Sequence, residues 1–211
     1  MYRYLLLGLA AIVLFISCNS NDKEQIFTKE ELAIINDTLS PLMKVFVITD
    51  KSDSLLLRRT TTELSNAELQ SKAYETLCKR MVKTVTDSTV DGVGIAGPQV
   101  GISRRVVAVQ RYDKEGAPFE VYPNIYIKEY SKETVPGREG CLSVPKSTLS
   151  EQEMKCGVVR SEWVIISYTD ARELKTVQDT VKGYTARIFQ HETDHLEGIL
   201  YTDRIQPTTQ P

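Results

Sequence analysis

The sequence Q-H-E-T-D-H-L-E-G spans residues 190–198 and contains both histidines of the chain. In an α-helix, His191 and His195 project from the same face, four positions apart, so both can bind one metal ion. Glu192 follows the first histidine and is close enough to act on a water bound to that metal. Gly198 provides a helix stop. The spacing therefore predicts a metal-binding helix, around which we expect the rest of the domain to be organised.

A third metal ligand must come from elsewhere, because a catalytic zinc-type site usually has three protein ligands and one open position. Cys141 is the best candidate, since it lies in the segment E-G-C-L-S (residues 139–143) and a thiolate is a strong ligand for Fe or Zn. Gly140 lets the backbone approach a ligand closely. The alternative is a zincin-like peptidase, which would need another histidine or a carboxylate as its third ligand.

A third stretch, G-V-G-I-A-G-P-Q-V-G at residues 92–101, is rich in glycine. It opens no predicted helix and lacks the Lys-Ser/Thr pair of a phosphate-binding loop. Its small residues instead predict a backbone that lies close to a ligand, and Gln99 offers an amide donor.

The three stretches resemble, in the same order, the signature motifs of the peptide deformylases: G-x-G-x-A-A-x-Q-x-G, E-G-C-L-S and H-E-x-x-H. The resemblance covers residues 55–205. Gly97 stands at the second alanine of the first motif, and no arginine follows the second motif before Arg160. The resemblance implies a deformylase-like α+β fold with mostly antiparallel strands around a central helix that carries H-E-x-x-H.

The resemblance also implies a metal-dependent hydrolase that removes the formyl group from the N-terminal formyl-methionine of peptides. Its cofactor would be one divalent metal, natively Fe(II), with Zn, Ni or Co also able to bind. The ligands would be Cys141, His191 and His195. The alternative is a lipoprotein that keeps the fold as a binding module but is catalytically silent.

The catalytic and substrate-binding roles are likewise implied by the resemblance. Glu192 would move the proton, while the side chain of Gln99 and the backbone N–H of Leu142 would stabilise charge on the formyl oxygen. The residues expected to bind the peptide substrate are Gly94, Ile95 and Gly140.

The order of predicted elements supports an α+β fold, because strands precede and follow a long helix and the metal helix comes last. A buried stripe predicts a helix over residues 66–85. Residues 23–39 form either a short helix or an extended arm, and the metal helix begins near Thr185, a candidate N-cap. Strands are expected at residues 43–48, 104–111, 163–168 and 174–184, and residues 119–130 are expected to form one strand or two. Loops are expected to begin at residues 55–58 and to span residues 135–143.

The first residues predict a leader, because Arg3 precedes an apolar run at residues 5–16 and then Ser17-Cys18. We expect a lipoprotein signal peptide (1–17), a polar tether (18–42), the catalytic domain (43–206) and a tail (207–211). Lipid on Cys18 would anchor the protein to a membrane outside the cytosol. The alternative is a cytoplasmic enzyme that starts at Met43.

Composition narrows the possible partners. The chain has 211 residues and a net charge of -2 with well-mixed signs, so no basic surface for nucleic acid is expected. We expect a monomer whose partners are formyl-methionyl peptides. A disulfide between Cys78 and Cys156 is an option in an oxidising envelope, which the sequence leaves open.

Overall fold

The computed structural model describes residues 27–206. These residues form five α-helices: α1 (Lys29–Ile35), α2 (Lys51–Leu57), α3 (Asn66–Leu69), α4 (Lys72–Val85) and α5 (Gly183–Leu196). They also form nine β-strands: β1 (Gly94–Ala96), β2 (Val106–Gln110), β3 (Phe119–Pro123), β4 (Tyr126–Tyr130), β5 (Thr134–Gly137), β6 (Gly157–Ser161), β7 (Trp163–Asp170), β8 (Lys175–Lys182) and β9 (Ile205–Gln206). The leader, Cys18 and the tail lie outside the described residues.

The strands form three antiparallel sheets of three strands each, in the orders β1-β2-β3, β4-β7-β8 and β5-β6-β9. Strand β2 has no exposed surface over residues 106–109, because Val106 and Ala108 pack with α4 on one face and Val107 and Val109 pack with α5 and β7 on the other. The predicted α+β class with mostly antiparallel pairing is confirmed.

Helix α5 occupies the centre of the domain. It packs against strands of all three sheets, and every residue from Thr185 to Leu196 except Arg187 is buried. A helix that is buried on all sides lies inside a domain. The expected central helix is therefore present, and it brings polar side chains into the interior.

Both ends of α5 are set by glycines. The helix begins at Gly183, where a positive φ of 60° turns the chain out of β8, so the expected start near Thr185 with that residue as N-cap was wrong. At the other end, Gly198 has φ 71°, and the N–H groups of Gly198 and Ile199 donate to the carbonyls of His195 and Asp194. This is a Schellman motif, which confirms Gly198 as the helix stop.

Several predicted elements needed correction. The helix expected over residues 66–85 is two helices, because Ser71 interrupts it and caps α4 by accepting a hydrogen bond from the N–H of Tyr74 at 3.1 Å. Residues 43–48 form no strand, since the N–H groups of Phe46 and Ile48 donate to the carbonyls of Gln99 and Ser143, and those of Met43 and Val47 donate to side-chain oxygens. Strand β5 occupies part of the expected loop at residues 135–143. The sequence reading missed β6 and also α2, which Asp50 caps.

The described part of the expected tether packs onto the domain. Phe27 and Ile35 are buried in the main core, and Arg80 donates to carbonyls of α1 and the turn after it. Glu31 forms a buried ion pair with Arg104, which also contacts Glu68. Residues 27–42 are therefore a docked arm, which we call the N-terminal arm.

Two further sequence questions concern the cysteines and the membrane. Cys78 and Cys156 are both free thiols, so the structure does not contain the disulfide considered above. Within residues 27–206 no helix is both long enough and apolar enough to cross a bilayer.

Replacing Arg104 with methionine should destabilise the domain strongly. The variant leaves Glu31 and Glu68, which are 8% and 1% exposed in their side chains, without their shared cation. Loss of one member of a buried ion network typically costs about 3–5 kcal/mol. Urea denaturation would measure this, with Arg172→Met as the exposed control. A cost below about 1 kcal/mol would contradict the account of how the N-terminal arm is held.

Candidate metal centre

Three metal-ligating side chains converge at the C-terminal half of α5. The Sγ of Cys141 lies 3.2 Å from the Nε2 of His195, and one donor atom from each of Cys141, His191 and His195 lies within 4.8 Å of the others. Both histidines are buried, while Cys141 is half-buried. The helix brings the two imidazoles to one face, and the turn after β5 brings the thiol to them.

Glu192 lies beside these ligands as a buried carboxyl group. Its side chain is buried, and its Oε2 has no hydrogen-bond partner within the part of the chain that the structure describes. Burial raises the pKa of Glu192 to about 7, which suits a group that accepts and returns a proton near neutral pH. Gly94 permits this placement, because a Cβ there would lie 2.5 Å from the Oε1 of Glu192.

The amide of Gln99 is held with its nitrogen towards the site. Its Oε1 accepts from the backbone N–H of Ala96 at 2.8 Å, which fixes the orientation of the amide. Its Nε2 donates to Ser143 Oγ at 3.2 Å and lies 3.6 Å from Cys141 Sγ. Gln99 therefore presents a donor next to the candidate ligands.

The turn that carries Cys141 leaves a backbone donor free. Cys141 and Val144 form an isolated antiparallel bridge, and the N–H of Ser143 lies 3.4 Å from Cys141 Sγ. The N–H of Leu142 makes no hydrogen bond to any residue in the range 27–206. It is thus available to a ligand in the adjoining cavity, which Leu142 lines.

Glu139 connects the candidate ligand His191 to two arginines. It accepts from His191 Nδ1 at 2.8 Å, from Arg160 through two bonds of 2.9 Å, and from Arg187 at 2.9 Å. Burial alone would raise the pKa of Glu139, but the hydrogen bonds from Arg160 and His191 outweigh it and lower the pKa to about 2. A carboxylate behind a ligating histidine fixes the ring and makes it a better ligand.

A second carboxylate extends this network. Asp194 accepts from Arg160 at 2.6 Å and from Arg204 at 2.6 Å. Arg160 therefore pairs with both carboxylates, Glu139 and Asp194. Arg187 was missed, although it precedes His191 by four positions and so shares its helix face.

A cavity of about 460 Å³ opens onto these groups. Most of the residues predicted for catalysis, substrate or metal line it: Gly94, Gln99, Gly140, Cys141, Leu142, His191 and Glu192. His195 does not line the cavity, but its Nε2 lies 3.2 Å from the Sγ of Cys141. Ile95 differs, because its side chain is fully buried in the main core and does not line the cavity. Any role it has in substrate binding must use its backbone.

The donor set fits a divalent transition metal. One thiolate and two imidazoles are ligands that Zn and Fe both accept, and three protein ligands leave a position for water or substrate. The unpartnered oxygen of Glu192, the Nε2 of Gln99 and the N–H of Leu142 lie around that position. The fold and the site together define a metal-dependent hydrolase.

Comparison with known proteins gives the family. The polypeptide deformylase family matches residues 43–211. The peptide deformylase of Leptospira biflexa serovar Patoc is 35% identical over 161 residues, which cover 72% of this chain and 84% of that protein. The peptide deformylase of Thermotoga neapolitana is 40% identical over 136 residues, covering 64% and 74%. The chain therefore belongs to the polypeptide deformylase family, and it is a metal-dependent deformylase.

Solved structures of peptide deformylases have a similar fold to this chain. A class I type b peptide deformylase from Acinetobacter baumannii superimposes with a TM-score of 0.67 at 35% identity, covering 79% of this chain and all of that one (100%). The peptide deformylase from Thermotoga maritima gives a TM-score of 0.65 at 32% identity, with 80% and 100% covered. The deformylase-like fold expected from the three motifs is confirmed.

Changing Glu139 to glutamine should weaken metal binding without unfolding the domain. The variant removes the charged acceptor of His191, and loss of such a partner typically costs about 10- to 100-fold in metal affinity. Competition with a chelator would measure the affinity, and thermal unfolding would verify the fold. Glu129→Gln, on an exposed position of β4, is the matched control. Equal affinities in the two variants would contradict the role assigned to Glu139.

Proposed function

We propose that the protein hydrolyses the formyl group from the N-terminal formyl-methionine of peptides, with one divalent metal held by Cys141, His191 and His195. The observation that carries the proposal is the buried, unpartnered carboxylate of Glu192 beside the three ligands. A silent binding protein would have no need of that carboxylate. A zincin-like peptidase is disfavoured because the third donor is the thiol of Cys141.

The reaction is the addition of water across a formamide. When bound, the metal would lower the pKa of a coordinated water and polarise the formyl carbonyl. Glu192 accepts a proton from the attacking water as the water oxygen adds to the formyl carbon. The same carboxyl then donates the proton to the amine nitrogen as the C–N bond breaks, which releases formate and the free N-terminus.

Negative charge develops on the formyl oxygen during this addition. The Nε2 of Gln99 and the N–H of Leu142 are the two donors available to stabilise it. Each donor of this kind is typically worth about 3–4 kcal/mol in the transition state. Because Ala96 holds the Gln99 amide in one orientation, little reorganisation is needed when the charge appears.

The cavity suits a peptide with an apolar first side chain. Val93, Leu142 and Ile188 line it and offer a surface for methionine. Strand β1 lies at the edge of its sheet, so an extended peptide can add to it through backbone hydrogen bonds. A solved deformylase from Acinetobacter baumannii contains Met-Ala-Ser, which has the sequence expected of a product. We propose that the enzyme is a monomer.

Fe(II) is the metal that we propose in the cell. The resemblance to deformylases points to it, and a thiolate with two imidazoles also accepts Zn, Ni or Co. Anaerobic purification is therefore the condition under which the native metal should be assayed.

Glu192→Gln should abolish turnover but keep the metal. Proton transfer by a positioned side chain typically contributes about 100- to 10,000-fold, so a loss of this size is expected on formyl-Met peptides. Formate release would be measured on protein purified anaerobically, with metal content determined on the same sample. Glu162→Gln, an exposed position between β6 and β7, is the control. A near-normal rate in Glu192→Gln would mean that another group moves the proton.

We also propose that lipid on Cys18 anchors the protein outside the cytosol, where its substrates would be exported or extracellular formyl peptides. Arg3, the apolar run at residues 5–16 and Ser17-Cys18 support this. Several acyl chains on one cysteine hold a protein firmly to a membrane, whereas a single chain gives marginal binding.

Labelling cells with a clickable fatty acid tests this location. We expect label in the membrane fraction and none in Cys18→Ala, with Cys156→Ala as the control. Unlabelled protein in the cytosol would instead favour an enzyme that starts at Met43.

A further inference from the structure

Two basic side chains stand free at the rim of the catalytic cavity. Arg138 and Lys146 both line it, both are exposed, and neither side chain makes an ion pair or hydrogen bond with a residue in the described range. Arg160, Arg187 and Arg204, by contrast, are all bound to Glu139 or Asp194. The first two cations therefore remain available to a ligand.

The carboxylates that line the cavity do not cancel these charges. Glu139 is already engaged by Arg160 and Arg187, and Glu192 is buried beside the metal ligands. Only Asp91, at the turn before β1, adds a free negative charge among the lining residues. Two free cations face one free carboxylate, so the rim carries a positive balance that attracts anions.

Chain geometry places these cations at the right distance from the chemistry. Arg138 precedes Cys141 by three residues and Lys146 follows it by five, so their Cα atoms lie within about 11 and 18 Å of the Cys141 Cα. An extended peptide advances about 3.3 Å per residue. The second to fourth residues of a substrate whose formyl group is at the metal centre therefore fall within the same range of distances, in the cavity that Arg138 and Lys146 line.

We propose that Arg138 and Lys146 form a subsite that binds a carboxylate of the formyl peptide beyond its methionine. The inference rests on the proposed deformylation of formyl-methionyl peptides and names the preferred substrates within that class. The carboxylate has two sources, which are an Asp or Glu side chain at positions two to four and the terminal carboxylate of a short peptide. Both offer the oxygen pair that a guanidinium binds through two hydrogen bonds.

The expected size of the preference for a carboxylate follows from the solvent exposure of Arg138 and Lys146. Ion pairs between exposed partners are weak, so two of them give roughly a fivefold preference at low salt. High salt screens such contacts. Because the cations lie away from the reacting atoms, the preference should appear in KM and leave kcat unchanged.

The test compares matched peptides on the full-length, metal-loaded protein. Formyl-Met-Ala-Glu-Ser amide is set against its Gln and Lys analogues, which isolates the side-chain source. Formyl-Met-Ala-Ser with a free terminus is set against its amide, which isolates the terminal source. We expect about a fivefold higher kcat/KM for the Glu peptide than for the Gln peptide, or for the free acid than for the amide, with loss of the difference in 0.5 M salt.

Variants then assign the preference to the two side chains. Arg138→Gln with Lys146→Gln should bring the ratio to about one, while Arg138→Lys with Lys146→Arg keeps the charge and should keep the preference. Arg172→Gln with Lys51→Gln removes two exposed cations elsewhere and is the matched control. Thermal unfolding of each variant verifies that the fold is intact.

Two results would overturn the subsite. The first is turnover of all peptides with equal kcat/KM in both pairs, and the second is a preference that survives Arg138→Gln with Lys146→Gln. Failure of the proposed function looks different, because the metal-loaded protein would then release no formate from any peptide of the panel, charged or neutral.

Discussion

The buried polar face of helix α5 is the constraint on which the rest of the structure depends. His191, Glu192, Asp194 and His195 are all buried, and polar groups out of water are costly unless they find partners. Glu139 is the partner of His191, and Arg160 and Arg204 are the partners of Asp194. Within residues 27–206, Glu192 Oε2 and His195 Nδ1 have no hydrogen-bond partner, and Glu192 lies where a hydrolase needs a proton acceptor.

The remaining elements hold other segments against this helix. Strand β1 approaches Glu192 at Gly94, and β5 leads into the turn that carries Cys141. Residues 43–48 connect two of these segments, because the N–H of Phe46 donates to the carbonyl of Gln99 and that of Ile48 to the carbonyl of Ser143. The N-terminal arm packs on α4 and pairs with Arg104 through Glu31. The structure thus fixes three distant parts of the sequence around one point.

The sequence predicted the fold class and singled out the candidate site residues, but it predicted the individual helices and strands less well. His191, Glu192, His195 and Cys141 stood out because metal chemistry accepts few residue types at few spacings. Helix α2 and strand β6 were missed because their packing depends on distant residues, which local patterns do not report. Likewise, Glu31 looked like a residue of a polar arm until its pairing with Arg104 was visible. Charged residues that pair across the fold carry no periodic signal.

X-ray absorption spectroscopy of the zinc-loaded protein tests the central claim most directly. The account predicts one sulfur ligand at about 2.3 Å and two imidazole nitrogens at about 2.0–2.1 Å, with the sulfur contribution lost in Cys141→Ala. A metal surrounded only by nitrogen and oxygen, or a sulfur signal that persists in that variant, would contradict the assignment of Cys141, His191 and His195 as the metal ligands.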